Sequence, residues 1–196
     1  KIIKSNCFEK LSKDQLSLNL ISTIFPELKN LSILLKLKTE NKILLKEKDF
    51  IFLLSLMIID NTDNTDYFLY KYNISKKDQR RLKVIDSFYK DNINKNSFSE
   101  NNINKIFYYF GNQAVDDILA FGIIKYKRFD ENLKRLRNFF KNKTAPVMPV
   151  SAAELMNKYN IPEGKQLGVK LKLIEEKWVE NKFKISDQQI NYIINN

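Results

Sequence analysis

Ten residues, FIFLLSLMII from Phe50 to Ile59, carry a single serine among apolar side chains and are bracketed by Asp49 and Asp60. A run this apolar needs cover on every side, from lipid or from protein. Crossing a bilayer takes about 20 residues, so protein must supply the cover. The run predicts a buried core helix, and the rest of the chain has to be arranged around it.

The surrounding sequence predicts more helices. Ser12 with Gln15 forms a capping-box pattern before QLSLNLISTIF, Pro26 suits a first helical turn before ELKNLSILLKL, and Ser75 precedes KKDQRRLKVIDSFYK. Ser99 leads into ENNINKIFYYF, which Gly111 ends; NQAVDDILAFGIIKYK and DENLKRLRNFF follow. No alternating strand pattern stands out. The expected fold is all-α, an antiparallel helical body followed by a small helical tail. Composition shifts at KNKTAPVMPVS, where Pro146 and Pro149 force an extended connection. The body is therefore expected over 1–145 and the tail over 146–196. In the tail, Ser151 and Glu154 predict a capping box for AAELMNKY; then come a tight turn, a longer helix, QLGVKLKLIEEKWVENKF, and a last helix begun by Ser186.

Composition limits the chemistry. The 196 residues include no histidine and one cysteine, Cys7, which excludes a His-based triad, an imidazole base, a His-ligated metal and an internal disulfide. A reducing, cytoplasmic setting fits. Thirty-four Lys and Arg against 23 Asp and Glu leave a formal charge of +11, which favours a polyanion. Nucleic acid is the first candidate and an anionic membrane surface the second; drift toward Lys, Asn and Ile is the bland alternative. The acidic residues make poor metal sites. Asp60, Asp63 and Asp66 lie in a stretch, DNTDNTD, that reads as a polar loop, and the neighbours Asp116 and Asp117 are expected to point to different sides of their helix. With no Gly-rich phosphate loop, the chain is expected to be non-catalytic, with no catalytic or metal residue of its own.

The stretch NIPEGKQLGVKL, Asn160–Leu171, holds two of the four glycines. Asn160 and Pro162 break one helix, and Gly164 can take the positive φ of a tight turn. The next helix then presents free N–H groups, with Lys165 in its first turn, where a phosphate could sit. Packing is the rival explanation, and Gly168 is read as a packing glycine. Leu167, Leu171, Ile174 and Trp178 fall on one face and are expected to be core, with Lys165, Lys170, Lys172 and Lys177 on the flanks. Two other basic clusters, KKDQRRLK with Arg80 and Arg81, and KYKRFDENLKRLR with Arg128 and Arg135, are interleaved with aromatics such as Tyr126, Phe129, Phe139 and Phe140. Such clusters suit an RNA backbone, and solvated helix faces look the same.

With those residues in view, VSAAELMNKYNIPEGKQLGVKLKLIEEKWVENKFKIS resembles the C-terminal tail of bacterial tRNA nucleotidyltransferases of the class II CCA-adding enzyme and poly(A) polymerase family. Glu154, Leu155, Pro162, Gly164, Gly168 and Leu171 occupy the pattern, while Lys-Tyr-Asn at 158–160 stands where relatives often have a glycine. FPELKNLSILLKL and YNISKKDQRRL resemble the family's helical body more diffusely.

The resemblance implies a body and tail that grip tRNA and position its 3′ end for CTP and ATP addition by an N-terminal head. That head, with its Mg2+ and nucleotide, is expected to lie outside this chain, which opens on Lys1 and reads as a fragment or processed product. The residues expected to meet RNA are Gly164, Lys165, Lys170, Lys172, Arg80, Arg81, Arg128 and Arg135. Partners are expected to be tRNA and the protein's own head, with no membrane. The poly(A) polymerase counterpart, and a stand-alone helical interaction or DNA-binding module, remain the alternatives.

Overall fold

The computed structural model describes residues 14–33, 37, 39–90, 96–126 and 130–195, which hold ten α-helices and no strand. The all-α expectation holds. The helices are α1 Gln15–Ile24, α2 Thr39–Lys46, α3 Phe50–Ile58, α4 Asn64–Lys71, α5 Lys76–Lys90, α6 Glu100–Lys125, α7 Asp130–Phe140, α8 Ala152–Tyr159, α9 Lys165–Glu180 and α10 Asp187–Asn195. Among the described residues none is long and apolar enough to cross a membrane. Two compact units form: Lys1–Asn94 with Gln113–Lys141, and Lys95–Asn112 with Asn142–Asn196. The second thus includes 95–112, which the sequence reading assigned to the body.

In the first unit α3 is the core. Asp49 caps it by accepting from the Phe52 N–H at 3.1 Å, and Phe52, Leu56, Ile58 and Ile59 lose all solvent exposure. It packs on α4 and α5. Burying each such side chain contributes about 1.5–3 kcal/mol, and Leu56→Ala would cost about 2–5 kcal/mol. Leu82, Ile85 and Tyr89 of α5 and Ile118, Leu119 and Phe121 of α6 are buried as well. The Tyr89 hydroxyl, deep in this core, donates to the Ile118 carbonyl at 2.6 Å.

Two helix starts differ from expectation. α1 is capped by Asp14, which accepts from the N–H groups of Leu16 and Ser17; Ser12 lies outside the described residues. Among the described residues after Pro26 the chain forms turns and a 3-10 turn, Leu31–Ile33, where a helix was expected. The reason is tertiary. The Asn30 N–H donates to the Met57 carbonyl at 2.9 Å and its side chain to the Ile59 carbonyl at 2.8 Å, so this segment serves the orphan acceptors at the end of α3. Buried Glu27 is meanwhile held by Lys71 at 2.6 Å and Tyr72 at 3.1 Å.

Gly111 interrupts α6 at φ 79°, ψ −179°, a backbone state open to glycine. The interruption lies one residue before the boundary between the units. In the second unit α9 packs on α8 and α10. Leu155, Ile161, Leu167, Ile174 and Ile190 form its apolar centre, so the seam along α9 is core as expected, with Leu171 at its edge. The Ser151–Glu154 capping box forms in both directions.

Candidate nucleic-acid interface

The strongest candidate lies where α9 begins. Asn160 closes α8 in a left-handed conformation, φ 53°, and Gly164 takes φ 148°, ψ −166°, a region essentially restricted to glycine. No side chain caps the helix that follows, and its first turn holds no acid. Its first ladder bond runs from the Gly168 N–H to the Gly164 carbonyl at 3.2 Å. The N–H groups of Lys165, Gln166 and Leu167 therefore have no acceptor within the helix. Gly164, Lys165 and Gly168 are exposed. A sixteen-residue helix with a bare, positive N-terminus and an exposed ammonium beside it suits a phosphate.

Gly168 corrects the packing expectation. A Cβ built there meets nothing within 4 Å. No neighbouring backbone needs its missing side chain, and its surface is open.

The flanking lysines differ. The Lys165 side chain has no hydrogen bond or ion pair among the described residues, and it is exposed. Lys172 is exposed and only loosely paired with Glu176, at 3.9 Å. Lys170 is committed elsewhere: its Nζ donates to the Ile193 carbonyl at 2.8 Å, serving an unpaired acceptor in the last turn of α10. That bond engages its ammonium within the fold.

In the first unit one expected residue, Arg81, is likewise engaged within the fold. Arg81 is only 15 % exposed, its Nε donates to Asp117 Oδ2 at 2.6 Å, and its Nη1 meets Asp49. Burial works against the charge on this guanidinium, but the hydrogen bonds to Asp117 and Asp49 outweigh it and raise the pKa. Arg81 is structural, because its departure would leave a buried carboxylate with only part of its shell. Arg80 is exposed, as is Arg135, whose Nη2 donates to Asn132 Oδ1 at 3.2 Å. Arg128 lies outside the described residues. Of the interleaved aromatics, Tyr126 stacks on buried Tyr89 at 5.4 Å and Phe140 is buried, whereas Phe139 is half exposed; Phe129 lies outside the described residues.

Asp116 and Asp117 also depart from expectation. Both carboxylates reach one cation, the buried ammonium of Lys48, which donates to Asp117 Oδ1 at 3.0 Å. Asp116 further accepts from Arg137 Nε at 2.5 Å, and Arg137 reaches Glu47 at 3.0 Å. Adjacent positions lie about 100° apart on a helix, and a long lysine entering between them spans that angle.

Sequence reasoning passed over the other end of α9. The chain there runs Asn181-Lys182-Phe183-Lys184, and Lys182 and Phe183 both take positive φ, 58° and 63°. The Lys182 N–H donates to the Val179 carbonyl at 3.2 Å and the Phe183 N–H to the Trp178 carbonyl at 2.8 Å. Phe183 packs against Trp178 and Tyr108, ring centres 5.0 and 5.9 Å away. Burial, then the hydrogen bond donated to Glu175 at 2.6 Å, push the Tyr108 hydroxyl up to about 12. The signal available in sequence was a helix end without the glycine such ends usually carry.

No family model, curated protein or solved structure matched this chain in three comparisons.

Proposed function

We propose that this chain binds RNA as the body and tail of a cytoplasmic tRNA nucleotidyltransferase, holding the acceptor limb of a tRNA while a catalytic head extends the 3′ end with CTP and ATP. The opening of α9 carries the reading. Gly164 leaves the helix end bare, Lys165 is exposed beside it, and the surface over Gly168 is open, so an RNA backbone can approach closely. The same residues carry the resemblance of Val150–Ser186 to the tails of such enzymes, and the +11 charge supplies long-range attraction.

The contact is with phosphate. A-form RNA exposes little sequence in its accessible groove, so a helix N-terminus and a lysine read backbone position and limb shape. Lys172 and Arg135 are further exposed cations available for such contact, one in each unit.

Gel-shift titration of a tRNA across a salt series tests this. The affinity should fall steeply with salt, and Lys165→Glu should weaken binding more than Lys46→Glu, a change at an exposed lysine of α2. Equal affinity for tRNA and for an unstructured RNA of the same length would sink limb recognition.

A further inference from the structure

We infer that the turn closing α9, through Lys182 and Lys184, is a second RNA-phosphate contact, separate from the helix opening at Gly164. The inference rests on the RNA-binding reading above and adds residues to it. Lys182 occupies the left-handed position that ends a helix, φ 58°, where glycine fits without strain and a side chain does not. Phe183 repeats the strain at φ 63°, but its ring has an evident use, filling the corner between Trp178 and Tyr108. The Lys182 side chain has no such use. It is exposed and makes no hydrogen bond or ion pair among the described residues; the same is true of Lys184.

A strained residue whose side chain makes no polar contact in its own fold points to a partner outside it. The fold holds the backbone that carries this side chain in a defined place. The two N–H bonds to Val179 and Trp178 and the three-ring cluster of Tyr108, Trp178 and Phe183 fix the turn. Two ammonium groups thus stand on a preformed corner, with Lys177 exposed one turn earlier and paired with Glu180 at 3.8 Å. Complementing the negative end of the α9 dipole is the competing use of these lysines. That use does not require a lysine at the strained position, since Lys177 already stands in the last turn.

RNA phosphate is the ligand this corner fits. It offers compact, flexible point charges. α9 is about 24 Å long by its rise per residue, so its two ends would touch different stretches of one backbone.

Lys182→Gly separates the roles because stability and binding should move in opposite directions. Relief of the left-handed strain should raise the thermal midpoint by about 2–4 °C, while tRNA affinity falls and the slope of log affinity against log salt drops by about 1. Lys184→Ala should lower affinity and slope similarly, with the midpoint unchanged. Wild-type affinity and slope in both variants would overturn the inference while leaving the tRNA reading intact. A lower midpoint for Lys182→Gly would overturn it too, by giving the lysine a structural role. If wild-type chain fails to bind tRNA and binds phosphatidylserine vesicles instead, both readings fall.

Discussion

Arg81 grips Asp117 with two guanidinium nitrogens, Nε to Oδ2 at 2.6 Å and Nη2 to Oδ1 at 3.1 Å, around a carboxylate with no solvent exposure. Lys48 and Gln113, each at 3.0 Å from Oδ1, complete the shell. The pair ties α5 to α6, and through Asp49 to the start of α3. Removing one partner of a buried pair leaves a charge without compensation, whereas the intact pair contributes little net stability.

Arg81→Ala should therefore destabilise the protein by ~3 kcal/mol, toward the low end for such losses because Lys48 and Gln113 remain. Urea unfolding measures it. Arg81→Lys should recover only part of the loss, since a lysine cannot reproduce the two-pronged contact. Wild-type stability in Arg81→Ala would contradict the structural role and return Arg81 to the RNA-facing candidates.

Acid should loosen the first unit. Burial pushes the Asp116 and Asp49 carboxyls up, but the hydrogen bonds from Lys48 and Arg81 respectively dominate and leave both pKa values lowered. A lowered carboxylate contributes stability that is present above its unfolded value and lost as pH falls through the folded one. The loss should begin near pH 4 and grow below it. Asp86 acts in the opposite sense: burial raises its pKa despite the hydrogen bond from Thr65, so its protonation favours the fold as pH falls. Asp86→Asn should steepen the net decline in a series of urea midpoints from pH 7 to pH 3, and an unchanged profile would contradict the assignment.

Lys125 should give a signature in base. Burial lowers its ammonium to about 8, against weak support from Asp60, while Nζ donates to the Ile59 carbonyl. Between pH 8 and the ordinary value of 10.5 the unfolded chain binds the extra proton, so stability attributable to this residue rises with pH. The difference in unfolding free energy between wild type and Lys125→Met should shift in the wild type's favour across that window. A constant difference would show that the amine is not desolvated.

The two tail glycines should respond in opposite ways to alanine. At Gly164 the space is open but the backbone, φ 148°, is not available to alanine, and Gly164→Ala should cost ~1–3 kcal/mol. Gly168 is helical with open space beside it, so Gly168→Ala should stabilise by ~0.5–1 kcal/mol. The same Gly168 variant should bind tRNA less well, since its methyl group stands where the backbone would approach. Thermal melts and gel shifts on the pair decide both points.

Features governed by neighbouring residues were legible in the sequence. The Ser151–Glu154 box spans one helical turn, and both of its bonds form. The Leu167–Ile174–Trp178 seam depends only on helical period, and all three residues are buried. The tight turn at Gly164 was also readable, because its residue types admit few backbone states. The Pro26 helix was misread because the backbone and side chain of Asn30 are spent on carbonyls 27 and 29 positions away.

By itself, then, the sequence determined the helical class, the buried run at α3 and the glycine turn, since each follows from the local period, capping or conformational range of adjacent residues. Tertiary structure alone decided which cations are free. Lys170 looks like Lys165 in sequence, and Arg81 like any arginine on a helix face, but the acceptors of Lys170 and Arg81 are supplied by residues 23 and 36 positions away. Each is drawn from the surface by an acceptor within the fold, and only the assembled fold places those acceptors.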